Sequence, residues 1–207
     1  MMTMSKNVSI VISAVAVIAA CAFIFLMSSR AGGESGALSR AIVDFFVQFL
    51  VPGYSQMLPM EQTAWYDAIH LVVRKLAHFS EFAILGALSA NLLVRLEHTR
   101  MTTRASSAEG DLKPPSDARS ESRPRLAYVH QTSLKDTSAS GLRNLKSYAI
   151  AWAFSVAYAA SDEIHQLFVP GRACMPLDVL IDSSGALAGV AIFALVVKLL
   201  IRHRNVA

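Results

Sequence analysis

The sequence predicts an all-α membrane protein with four transmembrane helices, and three features of the chain predict this fold class. Of the 207 residues, 54% are hydrophobic and only 16% are charged, a balance outside the range of soluble domains. The apolar residues form runs of bilayer length. Nine of the nineteen Lys and Arg residues lie in one polar segment between these runs, which is typical of membrane orientation rather than of nucleic-acid binding.

The N-terminal segment, residues 1–28, is expected to be an uncleaved membrane anchor. Its apolar run continues past Cys21, where a lipoprotein-type signal would be cleaved, and it has the length needed to cross a bilayer. No charge interrupts this run. We therefore expect a helix that anchors and packs rather than one that contributes to a site.

Residues 29–68 are expected to form an extracytoplasmic loop that contains a short amphipathic helix. Leu38, Ile42, Phe45 and Phe49 recur at helical spacing, with polar residues between them. This pattern is typical of a helix that lies in the membrane interface. A small helix of the external loop, packed on its neighbours, explains the pattern equally well.

The second transmembrane helix is predicted over residues 69–96, after a separate short helix that starts near Pro59. Residues 97–146 are rich in Ser, Thr and alternating charges, and they contain few large apolar side chains. Such a segment cannot bury enough surface to offset the entropy lost on ordering. We therefore predict a disordered cytoplasmic linker there.

Residues 147–204 predict a transmembrane helical hairpin. Its third span ends at Pro170 and Gly171, and its fourth span starts near Leu177. Such a short connection joins antiparallel neighbours. Because the long linker and the C-terminus carry most of the positive charge, the positive-inside rule predicts that both chain termini are cytoplasmic.

With this topology, the polar residues of three spans fall at the outer end of the bundle. Lys75, His78 and Glu81 share one face of the second helix because they are three residues apart. A Gly-x-x-x-Gly contact at Gly185 and Gly189 would bring the fourth helix close to a neighbour, below a polar cavity. The predicted site comprises Lys75, His78, Glu81, Asp162, Glu163, His165, Gln166, Arg172, Asp178 and Asp182.

The energetic cost of these residues argues against chance. An ionisable side chain near the middle of a span costs roughly 2.5 to 3.5 kcal/mol. Several unpaired ones would together exceed the net stability of a typical protein. A salt-bridge network that only holds the bundle together is the alternative interpretation, in which Lys75 would pair with Glu81 or Asp182. Arg172 would then pair with Asp178.

Two further interpretations concern individual residue types. The histidines and carboxylates show helical spacings that also occur in metal sites, although no cysteine or dense histidine cluster accompanies them. Arg74 carries a long, flexible side chain near the outer end of the second helix. We therefore expect the Arg74 side chain to extend outward to the interface.

Three motifs follow one another along the chain: Lys75-Leu-Ala-His78-Phe-Ser-Glu81-Phe, Tyr158-Ala-Ala-Ser-Asp162-Glu163-Ile-His165-Gln166-Leu-Phe-Val-Pro-Gly-Arg172, and Asp178-Val-Leu-Ile-Asp182-Ser-Ser-Gly185. Together they resemble the VanZ-like family of bacterial membrane proteins. The resemblance implies a small multi-span protein of the bacterial plasma (inner) membrane. It also implies an accessory role in resistance to glycopeptide antibiotics, especially teicoplanin.

Two functions fit these residues, and the sequence leaves open whether the protein is an enzyme. One is an enzyme that acts on a cell-envelope lipid or lipid-linked precursor. The other is a receptor or modulator that binds a head group, a peptidoglycan fragment or an antibiotic without turnover. The expected partner is the lipid bilayer with such a ligand, nucleic acid is not expected, and the sequence identifies neither a cofactor nor an oligomeric state. In the enzyme, His165 or His78 would be the general base. Glu81, Asp162 or Glu163 would be the acid or the orienting group. Lys75 and Arg172 would hold an anion.

Overall fold

The computed structural model describes residues 6–29, 37–111, 125–172 and 174–204 of the chain. Every regular element in these ranges is helical, which confirms the all-α prediction. The elements in these ranges are α1 Lys6–Ser28, α2 Ala37–Leu50, a short 3-10 turn Tyr54–Gln56, α3 Pro59–Asp111, α4 Arg125–Gln166 and α5 Pro176–Arg204.

Three helices within the described ranges are long and apolar enough to cross a membrane. They are α1, α3 and α5, through their segments Asn7–Ser28, Pro59–Arg104 and Pro176–His203. The apolar part of α4 is shorter, because it follows Lys146 and ends in polar residues from Ser161 onward. A helical protein suited to a membrane is thus confirmed, and the fourth span stays a prediction.

Buried contacts define the relative directions of α3, α4 and α5. Phe82 of α3 lies in the same buried cluster as Ala159 of α4. Two turns later along α3, Ala90 packs in a second cluster with Ala151 of α4. α3 and α4 therefore run antiparallel. The first cluster contains Ala186 of α5 and the second contains Val190. α5 therefore runs parallel to α3 and antiparallel to α4.

α1 packs beside α4 and runs in the same direction. The Tyr158 hydroxyl donates a hydrogen bond to the Cys21 carbonyl at 2.6 Å. Further along both helices, Ser28 Oγ donates to Asp162 Oδ2 at 2.8 Å. The end of α1 therefore lies against the polar end of α4.

Small residues let α3 and α5 approach each other closely. A Cβ added at Gly185 would collide with the backbone carbonyl of Phe79, and one added at Gly189 would collide with that of Ala83. This confirms the contact predicted from the Gly-x-x-x-Gly spacing. Because the contact begins one turn after Asp182 on α5, it sets the separation of the two helices where their charged residues face each other.

α2 packs on the start of α3 through one face only. Its buried Val43 and Val47 share a cluster with Ile69 of α3. The other face exposes Phe45 and Phe49, which are 64% and 74% accessible. A helix therefore occurs where the sequence predicts one, and its packing on α3 matches the second of the two interpretations. Its placement in the membrane interface stays a proposal.

Two helix boundaries differ from the sequence prediction. The short helix near Pro59 and the span over residues 69–96 form one continuous helix, α3. Residues 97–111 and 125–146, which belong to the predicted linker, are helical extensions of α3 and α4. Residues 112–124 of that linker lie outside the described residues, and its disorder stays a prediction. Extending an existing helix avoids the cost of nucleation, and no proline interrupts either extension. The boundaries of the predicted units are otherwise untested.

The glycine contact between α3 and α5 leads to a stability prediction. Gly189→Leu should lower the free energy of unfolding by about 1–3 kcal/mol or more, because the new side chain forces the helices apart. Ala191→Leu is the control, since it places the same side chain on the exposed face of α5. Thermal unfolding of both variants in detergent measures the difference. Equal melting temperatures would contradict a tight contact at Gly189.

Candidate functional site

Polar segments of four helices meet near one end of the bundle. α1 and α4 end there and α5 begins there, whereas α3 begins earlier, at Pro59, and passes this level with residues 75–81. The connection between α4 and α5 joins two of these ends. All ten residues of the predicted site lie in these polar segments or in the connection, and the structure places them in different environments.

A cavity of about 220 Å³ lies between α3, α5 and the loop that joins α4 to α5. Its lining combines charged and apolar side chains. Five of the predicted site residues contribute to it: Lys75, His78, Arg172, Asp178 and Asp182. The rest of its lining consists of Leu71, Arg74, Gly171, Met175 and Ile181.

Charged residues of α3 face those of α5 across this cavity. Lys75 Nζ forms a hydrogen-bonded ion pair with Asp178 Oδ1. One turn deeper, His78 Nδ1 lies 3.9 Å from Asp182 Oδ2. The pairing of Lys75 with Glu81 or Asp182 was therefore the wrong expectation. Lys75 pairs with Asp178 because the parallel helices place these two residues at the same level.

Asp182 is fully buried in the cavity. Its side chain is 0% exposed, and neither carboxylate oxygen has a hydrogen-bond partner among the described residues. The 3.9 Å separation from His78 Nδ1 is too long for a hydrogen bond. A buried carboxylate without donors is unfavourable. This makes Asp182 suited to receive a donor from a ligand.

Asp162 has a different environment, because the protein itself satisfies it. Its Oδ2 accepts hydrogen bonds from Ser28 Oγ at 2.8 Å and from Gln166 Nε2 at 3.2 Å. Gln166 Nε2 also donates to Ser28 Oγ at 3.0 Å. All three side chains are buried. They form a polar contact that fastens the end of α1 to α4, and we call it the Ser28–Asp162–Gln166 cluster.

Glu163 connects α4 to the loop before α5. Its Oε2 accepts a hydrogen bond from the backbone N–H of Met175 at 2.9 Å, and the side chain is only 1% exposed. Met175 is the residue that immediately precedes α5, which begins at Pro176. Glu163 therefore positions the loop rather than lining the cavity.

The loop turns at Gly171 and returns Arg172 to the bundle. Gly171 has a φ of 74°, a left-handed conformation that glycine adopts without strain. Arg172 then lines the cavity, and its Nη2 donates to the carbonyl of Met27 at 3.4 Å. The turn at Gly171 thus places Arg172 beside the end of α1 and the cavity.

Arg172 interacts with charged side chains of both α3 and α4. Burial lowers the pKa of its guanidinium, and the like charge of Arg74 lowers the pKa further. Three carboxylates oppose this shift, namely those of Asp162, Glu163 and Glu81. Glu81 is half-buried and does not line the cavity. It acts on the site through the attraction between its carboxylate and Arg172.

His165 lies against α1, outside the cavity. Its ring centroid is 4.5 Å from that of Phe25, and its Nε2 is 3.1 Å from Ser29 Oγ. The face of α4 that carries His165 is turned toward α1 and not toward α3 and α5. His165 is therefore poorly placed as a base for a ligand in the cavity, and His78 is the imidazole that lines it.

The sequence model of one family, VanZ/LLP1, matches residues 13–198. The chain belongs to the VanZ/LLP1 family. The matched region covers most of α1, all of α2, α3 and α4, and most of α5, so it includes every residue of the candidate site. The resemblance inferred from the three motifs is thereby confirmed. No curated protein and no solved structure matches the chain significantly.

Sequence reasoning missed two contributions to the site of this VanZ/LLP1 protein. α1 was expected only to anchor and pack, yet its last residue, Ser28, hydrogen-bonds to Asp162. Arg74 was expected to extend outward, yet it lines the cavity. The signal for Ser28 was a hydroxyl at the end of an apolar run. The signal for Arg74 was its spacing, because it lies four residues before His78 and residues four apart share a helix face.

The metal-site interpretation gains no support from the described part of the chain. No three histidine, cysteine or carboxylate side chains among those residues converge in a way that could hold a metal ion. His78 and His165 in particular face different helices, α5 and α1. The two helical spacings that suggested metal ligands therefore do not combine in one place.

The Ser28–Asp162–Gln166 cluster leads to a prediction about stability. Ser28→Ala removes a donor from a buried carboxylate and should lower the free energy of unfolding by about 1–3 kcal/mol. The control is Ser80→Ala at an exposed position on α3, where the hydroxyl donates to the Leu76 carbonyl of its own helix, and for which we expect a change within about 0.5 kcal/mol. Thermal unfolding in detergent compares the two variants. A Ser28→Ala protein as stable as the Ser80→Ala protein would show that the cluster does not fasten α1.

Proposed function

We propose that this VanZ/LLP1 protein crosses the bacterial plasma (inner) membrane four times, with both termini in the cytoplasm. α4 then is the third span. Supporting this, its surface exposes large apolar side chains, including Ile150, Phe154 and Ile164, which in a bilayer would contact lipid. The charge distribution supports a site in the outer leaflet, where the exposed phenylalanines of α2 would lie in the interface.

Reporter fusions test this topology. Four spans predict that a green fluorescent protein fused to the C-terminus fluoresces and that an alkaline phosphatase fused there is inactive, because the C-terminus is cytoplasmic. If only α1, α3 and α5 cross the membrane, the C-terminus is external. The green fluorescent protein fusion would then be dark and the alkaline phosphatase fusion active. An alkaline phosphatase inserted between α1 and α2 is the positive control, since that segment is external in either case.

We further propose that the protein binds the polar head group of a cell-envelope lipid or lipid-linked precursor at this end of the bundle. The observation that carries the proposal is a cavity with charged lining beside apolar surface. Leu71 and Met175 line the cavity and are about half exposed, and Leu177 and Leu180 nearby are also exposed. A head group would enter the cavity while its acyl chains stay against this apolar surface.

A role in glycopeptide resistance fits this proposal. Binding of a lipid-linked precursor would change the access of an antibiotic to the same molecule. The family resemblance supports this direction, and a loss of lipid binding together with a loss of resistance in one variant would support it further.

An enzyme is the second candidate function, because the cavity contains an imidazole beside a carboxylate. Of the two proposed bases, only His78 lines the cavity, and Asp182 is its acidic neighbour. A carboxylate this close to a histidine stabilises the imidazolium that forms during general base catalysis, and the 3.9 Å separation would have to shorten before Asp182 could orient the ring. Asp162 and Glu163 are engaged in hydrogen bonds elsewhere, which leaves them less suited to that role.

Lipid retention by purified protein tests the binding function. Detergent-solubilised protein is mixed with a bacterial polar lipid extract, and bound lipid is identified by native mass spectrometry. Arg172→Gln should weaken binding at least tenfold, about 1.4 kcal/mol, because a cation of the cavity is lost. Arg40→Gln, at an exposed position on α2, is the control. Equal retention by both variants would contradict binding in the cavity.

The same experiment separates the two functions. If the protein is an enzyme, the wild type converts a bound lipid into a product of different mass, and His78→Asn binds that lipid without converting it. Binding without any change of lipid mass supports a receptor or modulator and argues against the enzyme.

A further inference from the structure

The charges that line the cavity come from different elements according to their sign. The basic residues belong to α3 and to the loop, whereas the acidic residues belong to α5. This separation suits a ligand that carries both charges. The residues concerned are Arg74, Lys75 and Arg172 on the basic side and Asp178 and Asp182 on the acidic side.

Lys75 and Asp178, one from each side, form an ion pair with each other. The other two cations that line the cavity are guanidinium groups, those of Arg74 and Arg172. Two guanidinium groups at one cavity can contact the same anion together. Because guanidinium forks match the oxygens of a phosphate group, this part of the cavity is suited to phosphate.

Asp182 supplies the second, independent observation. It is completely buried, and neither of its oxygens has a hydrogen-bond partner among the described residues. A primary ammonium group offers three N–H donors and a positive charge. Such a group would satisfy both oxygens, whereas a second anion on the ligand would be repelled by Asp182.

The wider charge balance also disfavours a strongly anionic ligand. Three further carboxylates, those of Glu81, Asp162 and Glu163, act on Arg172. Together with Asp178 and Asp182 they make five acids against three bases, a formal excess of two negative charges (5 − 3 = 2). A ligand with several negative charges would add to this excess, and a zwitterion would not.

We propose that the cavity binds a zwitterionic phosphoamine, which is a phosphate ester that also carries a primary ammonium group. The phosphate contacts Arg74 and Arg172, and the ammonium group donates hydrogen bonds to Asp182. This inference rests on the proposed head-group binding and specifies its chemical class. His78, beside Asp182, limits the space around the ammonium group.

The source of the phosphoamine follows from size and surroundings. At about 220 Å³, the cavity is smaller than the roughly 300–1,000 Å³ of pockets that enclose whole drug-sized ligands. It therefore accommodates a head group and not an entire lipid. The exposed apolar residues Leu71 and Met175 at the cavity suit the acyl chains of a membrane lipid better than they suit a free, soluble phosphoamine.

A lipid series with identical acyl chains tests the ammonium group without altering the protein. The probes are phosphatidylethanolamine, its N-methyl and N,N-dimethyl derivatives, phosphatidylcholine and phosphatidylglycerol, each titrated into the detergent-solubilised full chain and followed by native mass spectrometry. We expect phosphatidylethanolamine to bind at least tenfold more tightly than phosphatidylcholine or phosphatidylglycerol. Affinity should fall as methyl groups replace N–H donors, because a quaternary ammonium donates no N–H hydrogen bond.

Two variants assign this selectivity to the cavity. Asp182→Asn keeps the size of the side chain and removes its charge, so the preference for phosphatidylethanolamine should fall to about twofold or less. Asp67→Asn, at an exposed position on the same helix as His78, should keep the full preference. Asp182→Asn protein with unchanged selectivity would overturn the assignment of the ammonium group to Asp182.

The outcomes also separate this inference from the function on which it rests. Phosphatidylglycerol that binds as tightly as phosphatidylethanolamine, and depends on Arg172, would overturn the phosphoamine while leaving head-group binding intact. The absence of any Arg172-dependent binding would overturn both. Soluble glycerophosphoethanolamine is the last probe: weak competition supports a membrane lipid as the source, and competition equal to that of the lipid overturns that source.

Discussion

The close contact of α3 with α5 is the constraint on which the site depends. At Gly185 and Gly189 the backbones approach so closely that no side chain fits between them. Because the two helices run parallel, this contact brings residues of equal depth together one and two turns before it, including Lys75 with Asp178. The cavity lies where the helices are held at this separation. A looser contact would change the spacing of every charge in the cavity.

Two buried aspartates show how the same residue type serves stability in one place and recognition in another. Asp162 accepts hydrogen bonds from Ser28 and Gln166, so its burial is compensated within the bundle. Asp182 is buried as deeply, yet the described residues supply it with no hydrogen bond. A network that only held the helices together would be expected to satisfy both. The difference is the physical argument for a ligand at Asp182.

α1 belongs to the site although its sequence reads as a simple anchor. Its end supplies the hydroxyl of Ser28 to Asp162 and the carbonyl of Met27 to Arg172. Removing α1 would therefore affect the positions of α4 and of the loop, and not only the attachment to the membrane. The family match begins within α1, at residue 13, in agreement with a helix that is part of the functional unit.

The sequence by itself determined the helical class, the order of the apolar helices, the polar clusters and the family, because these depend on composition, period and local motifs. It also located the glycine contact at Gly185. The tertiary structure decided which residues share the cavity: it placed Arg74 inside and His165 outside, and it joined α1 to the site. Helical periodicity determines which residues share a face, but the rotation of each helix against its neighbours depends on packing between distant segments.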